Sequence, residues 1–143
     1  MAIHRDTPTL RFAVAFAIGA PVFLALDAVW LTTMGDRLYR PSIGHLMRAG
    51  FEPLAAIAFY VVYLAGSTVF TVLPANGWRS AAARGALFGL VAYATYDLTN
   101  QATLRDWPWH VTFADLAWGT LVTGISAAIA RGGVQVVLRG RLT

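Results

Sequence analysis

LRFAVAFAIGAPVFLALDAVWLTTM, residues 10–34, is the stretch that decides the fold class of this chain. An α-helix needs about 20 mainly apolar residues to cross the roughly 30 Å of hydrocarbon in a bilayer. This stretch meets that length, and beyond Arg11 the charged residue it contains is Asp27. It therefore predicts a membrane-spanning helix that holds a carboxyl group within its apolar part.

A cleaved signal peptide is the alternative for this first run, because Arg5 and Arg11 precede it. The run is longer than the apolar core of a signal peptide, which has about 7 to 15 residues, and no clear small-x-small cleavage pattern ends it. We expect a retained signal anchor, with a kink at Pro21.

Three further apolar runs follow, and composition supports a membrane protein. The chain is 57% hydrophobic and 13% charged with a mean hydropathy of +0.58, whereas a soluble domain is about 25% charged. The predicted spans cover about residues 10–34, 53–73, 81–104 and 111–130 of a single domain, 1–143. Short connections between spans favour antiparallel neighbours. The sequence thus predicts an all-α polytopic membrane protein, an antiparallel bundle of four transmembrane helices.

Local signals mark the ends of these runs. Glu52-Pro53 is a good helix start, and the Gly132-Gly133 pair predicts a break after the fourth span. Residues 35–51, in the first outer loop, interleave apolar side chains with arginines. That pattern predicts a short helix lying on the membrane surface, with an ordinary polar connector as the alternative.

Arginine placement predicts the orientation, since cytoplasmic loops carry an excess of positive charge. One set of connecting segments carries Arg5, Arg11, Arg79, Arg84, Arg131, Arg139 and Arg141. The opposite set carries Arg37, Arg40, Arg48 and Arg105. The larger set is expected inside, so both termini are predicted to be cytoplasmic.

Three aspartates lie inside the apolar runs: Asp27, Asp97 and Asp115. A carboxylate in hydrocarbon costs a few kcal/mol or more, so such residues mark functional sites by default. At the helical rise per residue they fall roughly 6 to 10 Å below the outer ends of their spans. The sequence predicts one polar layer in the outer leaflet, with Asp97 at its centre.

Polar and aromatic residues collect around the three aspartates. On the third run Tyr93, Asp97, Asn100 and Gln101 fall on one helical stripe, and Tyr96 lies one turn from Asn100. An Asp-x-x-Trp pattern occurs in two of the four spans, and it adds an indole near each carboxyl group. The two copies are Asp27 with Trp30, and Asp115 with Trp118.

Several short motifs resemble a family of small, four-span bacterial predicted membrane proteins of unknown function. They are LDAVWL (26–31), YDLTN (96–100), ATL (102–104), Trp107-Pro108 and DLAWG (115–119). The resemblance covers nearly the whole chain. It implies a four-span fold in a bacterial inner membrane and adds emphasis to these residues, but it implies no activity.

The leading functional prediction is an outer-leaflet pocket that binds a small amphiphilic or lipid-like ligand, with processing of that ligand as an extension. Asp97, Asp115 and Asp27 are predicted to contact the ligand or to act as acid and base. The predicted binding residues are Asn100, Tyr93, Tyr96, Trp30 and Trp118. Membrane lipid is the expected partner, and the residues leave open whether the chain is an enzyme and which cofactor it uses.

Other readings remain open. The chain is also compatible with an accessory subunit of a larger membrane complex, or with cation or proton-coupled transport as a homo-oligomer. A cation site would take oxygens from the aspartates and Asn100, with His45 or His110 at its mouth. The polar residues would otherwise only hold helices together through hydrogen bonds. Scattered arginines predict no nucleic-acid partner.

Overall fold

The computed structural model describes residues 7–139, and in this part of the chain the regular structure is all helical. Its four long helices are α1 (Pro8–Met34), α2 (Pro53–Ser67), α3 (Trp78–Thr103) and α4 (Trp109–Arg139). The all-α membrane fold predicted from the sequence is confirmed. Arg5 and Arg141, used for the orientation, lie outside the described residues.

Length and apolarity alone mark three segments of the described chain as able to cross a membrane. They are Pro8–Leu46, Pro53–Val72 and Trp109–Leu138. Helix α3 is of comparable length but more polar, and its longest packing contact is with α4. Of the polar side chains of α3, Asp97 is the one that is buried, beside Asp115 of α4.

Helix starts follow ordinary capping chemistry. Thr7 caps α1, with its hydroxyl accepting a hydrogen bond from the amide of Leu10 at 3.3 Å. Glu52 caps α2 by accepting from Leu54 N at 3.3 Å and Ala55 N at 2.7 Å, and Pro53 occupies the first helical position. Each cap satisfies amide groups that have no partner within the helix.

The predicted break at Gly132-Gly133 is wrong, because α4 continues through both glycines to Arg139. The reason lies in packing against α1. A Cβ on Gly133 would lie 2.6 Å from Ile18 Cδ1, so the bare glycine lets the two helices approach. Further along, Val134 and Leu138 are buried in the apolar core between these helices. Burial of these side chains outweighs the low helix propensity of glycine.

Helical turns continue beyond α1 where the sequence predicts a short helix or a connector. A π-helical turn (Gly35–Tyr39) is followed by a short α-helix (Arg40–Ile43) and a 3₁₀ turn (Gly44–Leu46). Ile43 packs with Trp107 and Val111 at the start of α4. This segment, the α1 extension, therefore covers one end of the bundle.

Helix α2 joins the bundle unevenly along its length. Its first part is exposed, with Leu54 and Val62 each 73% accessible. Its far end widens into a π-helical turn, Thr68–Val72, in which Thr71 and Val72 are buried against the other helices. The beginning of α2 is therefore splayed from the bundle while its end is packed.

Helices α3 and α4 approach most closely through glycines. A Cβ on Gly85 would lie 2.6 Å from the carbonyl oxygen of Thr123, and one on Gly89 would overlap the carbonyl oxygen of Gly119. Gly85 and Gly89 are four apart, a spacing that brings helix backbones together in membranes. We call the end of the bundle that contains Gly85 and Gly89 the small-residue half. Its buried core includes Ala15, Ala81, Gly85, Gly89, Ala127 and Ala130.

Candidate functional site

A cavity of about 420 Å³ lies in the opposite half of the bundle, which we call the acidic half. Its walls come from all four helices and the α1 extension: Asp27, Trp30, Leu31, Tyr39, Phe59, Tyr60, Tyr63, Ala92, Tyr93, Tyr96, Asp115 and Trp118. This volume falls in the range of small-molecule sites. We call it the acidic cavity.

The acidic cavity has a buried base and an exposed rim. Asp27 and Asp115 are each 6% accessible, so the carboxyl groups lie deep. Leu31, Phe59 and Tyr96, from three different helices, are exposed at its edge. The opening therefore lies on the side of the bundle, in the region where α2 is splayed.

Asp27 ties three helices together at the base. The Tyr60 hydroxyl of α2 donates a hydrogen bond to its Oδ2 at 2.6 Å, and the Trp118 indole of α4 donates to its Oδ1 at 3.1 Å. Both oxygens of this carboxyl group therefore have a donor. The two bonds fix the side chain and offset part of the cost of its burial.

Asp115 is held through a two-step chain of hydrogen bonds. The Trp30 indole donates to the Tyr39 hydroxyl at 2.8 Å, and that hydroxyl donates to Oδ1 of Asp115. Nine residues along a regular α-helix rotate by about 900°, which would put Trp30 and Tyr39 on opposite sides. The π-helical turn at Gly35–Tyr39 changes this rotation and brings Tyr39 over the cavity.

The two Asp-x-x-Trp patterns are interlocked rather than separate. Trp118 bonds to Asp27 of the other pattern, while Trp30 reaches Asp115 of the other pattern through Tyr39. The indole rings of Trp30 and Trp118 stack with centroids 4.5 Å apart and planes 5° apart. The crossed pairs form one rigid unit between α1 and α4.

Asp97 differs from the other two aspartates. It is 0% accessible, does not line the acidic cavity, and neither of its oxygens receives a hydrogen bond from the described residues. The carboxyl group of Asp115 is its interacting neighbour. Two ionised carboxylates have no donor between them, so a hydrogen bond here requires a proton on one of them.

Tyrosines complete the wall opposite the tryptophans. Tyr63 and Thr123 share a hydroxyl hydrogen bond of 2.7 Å, which fixes α2 to α4. The ring of Tyr93 lies directly on Gly119, where any Cβ would overlap it. The glycine after Trp118 therefore makes room for an aromatic ring at the boundary between the two halves.

The structure brings together most of the residues that the sequence proposed for the site. Six of them line the acidic cavity: Asp27, Trp30, Tyr93, Tyr96, Asp115 and Trp118. Asp97 lies beside Asp115 but outside the lining, and the half-buried Asn100 is also outside the lining, beside Tyr96. Gln101 instead fixes the turn between α3 and α4, donating to the Trp107 carbonyl at 2.8 Å.

Four aromatic lining residues were not identified from the sequence: Tyr39, Phe59, Tyr60 and Tyr63. Tyr60 and Tyr63 lie three apart in α2, so they share a helical face, and that spacing was the available signal. Tyr39 gave no such signal, because its approach to Trp30 depends on the π-helical turn.

The chemistry available in the cavity is that of carboxyl, phenol and indole groups. The lining includes no histidine, lysine, arginine or serine. Among residues 7–139, no three histidine or acidic side chains are arranged to hold a metal ion. His110 lies elsewhere, hydrogen-bonded through Nε2 to Ser42 Oγ at 2.8 Å. The arrangement can bind a ligand and hold or transfer a proton.

The fold and site together define a helical, polytopic membrane protein with an internal carboxyl and aromatic cavity. The chain belongs to the family described as predicted membrane protein (DUF2177), whose model matches residues 12–131. No curated protein and no solved structure gives a significant match.

Proposed function

We propose that this protein binds a small amphiphilic or lipid-like molecule in the acidic cavity. The observation that carries the proposal is the combination of a buried acidic base with a side opening whose rim is Leu31, Phe59 and Tyr96. A ligand with a polar head and an apolar tail matches that gradient. Its head would lie at the carboxyl groups and its tail would leave between the helices into lipid.

The size of the cavity supports binding over a purely structural role for the aspartates. Protein interiors are close-packed, with few voids larger than a water molecule. A space of about 420 Å³ is far larger than hydrogen bonds between helices would require. Residues that only held the helices together would be expected to close it.

The position of the carboxyl groups also favours a ligand over a protein partner. An accessory subunit would present polar side chains on an outer flank. Here Asp27, Asp97 and Asp115 are all at most 6% accessible and turn inward. The cavity that Asp27 and Asp115 line has a volume in the range of small-molecule sites.

We further propose that the acidic half lies toward the outer leaflet of a bacterial inner membrane, with both termini cytoplasmic. The arginine distribution supports this orientation. In it, the cavity would open toward lipid of the outer leaflet.

Mass spectrometry of the purified protein tests the proposal. The protein is extracted into native nanodiscs with a styrene–maleic acid polymer, exchanged into an uncharged maltoside detergent, and examined for retained small molecules. Ala92→Phe places a ring in the cavity, because Ala92 is part of its lining. Ala117→Phe adds the same ring at an exposed position of α4 and serves as the matched control.

We expect a small amphiphile to remain with the wild type and with A117F, and to be lost from A92F. A molecule retained equally by all three folded proteins would contradict binding in this cavity. Circular dichroism of each sample establishes that the variants keep the wild-type helix content.

A further inference from the structure

We propose that the head group bound in the acidic cavity is an organic cation, an amine or a quaternary ammonium group. This inference rests on the proposed ligand site and adds the chemical class of the ligand. It begins with charge: Asp27 and Asp115 line the cavity and Asp97 is adjacent, while the lining holds no cationic side chain.

The second step is the aromatic enclosure. Eight of the twelve lining residues are aromatic: Trp30, Tyr39, Phe59, Tyr60, Tyr63, Tyr93, Tyr96 and Trp118. Aromatic faces attract cations, and cages of this kind recognise quaternary ammonium groups. An aromatic wall alone would accept any apolar group, but aromatic rings around carboxyl groups favour a positive charge.

The third step concerns hydrogen-bond donors. Both indole N–H groups are used inside the protein, Trp118 on Asp27 and Trp30 on Tyr39. The hydroxyls of Tyr60 and Tyr39 donate to carboxyl groups as well. An anionic head such as a phosphate would therefore meet carboxyl groups and few free donors, whereas a quaternary ammonium group needs no hydrogen bond.

The fourth step identifies the carboxyl groups that a cation would neutralise. Both oxygens of Asp27 already have donors. Asp115 receives its hydrogen bond at Oδ1, and its neighbour Asp97 has no donor at either oxygen among the described residues. No cationic side chain lines the cavity beside this pair, so a cation at Asp115 would neutralise the charge that the pair carries.

Binding of three probes with the same decyl chain tests this inference. They are decyltrimethylammonium, decyl glucoside and decyl sulfate, titrated by isothermal calorimetry into the protein in dodecyl maltoside. We expect the cation to bind about tenfold or more tightly than the neutral and anionic probes. Asp115→Asn should remove that preference, and Asp106→Asn, at an exposed position in the turn between α3 and α4, should preserve it.

Trp30→Leu is a second test, in case Asp115→Asn does not fold. It keeps every carboxyl group but removes one aromatic face and the indole that donates to Tyr39, so it should weaken binding of the cation more than binding of the glucoside. Equal affinity for all three probes in the wild type, lost in A92F, would overturn the cationic head group and leave the proposed function standing. If the wild type binds none of the probes in a way that A92F abolishes, both the cationic head group and the proposed function are overturned.

Discussion

The two halves of the bundle use the same helices in opposite ways. In the small-residue half, Gly85 and Gly89 bring α3 against the backbone of α4, with no room even for a methyl group. In the acidic half, large aromatic side chains hold the helices apart and leave a cavity of about 420 Å³. The small-residue half is closely packed because its side chains are small or absent. The acidic half keeps a cavity because its side chains are large.

This contrast shows how a short chain can combine close helix packing at one end with an open cavity at the other. Van der Waals packing of small residues is a principal source of helix association in membranes, where no hydrophobic force acts between helices. Stability concentrated at one end lets the other end keep an open space and buried acids. If that division is correct, substitutions in the two halves should differ in kind as well as in size.

The largest effect is expected from Gly89→Ala in the small-residue half. The new Cβ would overlap the Gly119 carbonyl oxygen, and because both atoms belong to backbones, the helices must separate. Overpacking costs typically about 1 to 3 kcal/mol, and a backbone overlap should reach about 3 kcal/mol or more. Unfolding in mixed micelles with rising dodecyl sulfate, followed by circular dichroism, measures the loss.

Gly132→Ala is the control for this substitution. Nothing lies within 4 Å of a Cβ at that position, and it is within α4. Alanine should be neutral or stabilise by about 0.5 to 1 kcal/mol, because it has the higher helix propensity. Equal destabilisation by the two variants would mean that close packing is not what holds this half together.

An intermediate effect is expected in the acidic half from Asp27→Asn. Tyr60 and Trp118 each donate to Asp27, but an asparagine offers one acceptor oxygen and would turn its NH₂ group toward a donor. We expect a loss of about 1 to 3 kcal/mol in the free energy of unfolding, measured by the same titration.

Asp97→Asn should behave differently although it is the same change. Asp97 has no donor among the described residues, and the new amide could donate to its neighbour Asp115. The substitution replaces a buried acid with a neutral amide that can donate to Asp115 in either protonation state, so we expect unchanged or increased stability. If the two variants lose the same stability, the distinction between a bonded and an unbonded carboxyl group is wrong.

The smallest effect is expected from Tyr60→Phe, which removes one hydrogen bond between α2 and α1. The loss should be about 1 kcal/mol. Because the start of α2 is otherwise exposed, hydrogen exchange should quicken there while the protected core of α3 is unchanged. Tyr63→Phe, at the bond to Thr123, is the comparison; uniform acceleration along the chain in Y60F would contradict local opening.

The fold could be predicted from the sequence because an apolar run of about 20 residues is a direct signal of a membrane-spanning helix. The helix starts were also readable, since Glu52-Pro53 is a local signal. The predicted end of α4 was wrong because Gly133 and Val134 pack against α1, and packing between distant segments leaves no local mark.

Only part of the candidate site could be predicted from the sequence. Spacing placed Asp27 and Asp115 at similar depth, and the structure puts both in one cavity. The crossing of the two Asp-x-x-Trp patterns could not be foreseen, because it depends on which faces of α1 and α4 meet. Tyr39 was missed because helical rotation, extrapolated regularly, directs it away from Trp30.

The π-helical turn after α1 also bears on how this protein tolerates change in chain length. Turns of this type are rare and occur often at functional sites. Shortening Gly35–Tyr39 by one residue would allow an uninterrupted α-helix, and eight residues of regular helix rotate by about 800°, which keeps Tyr39 near the side of the helix that carries Trp30. The π-helical turn therefore accommodates one extra residue between Trp30 and Tyr39, and a single-residue deletion within it should keep the Tyr39 hydroxyl within reach of Asp115.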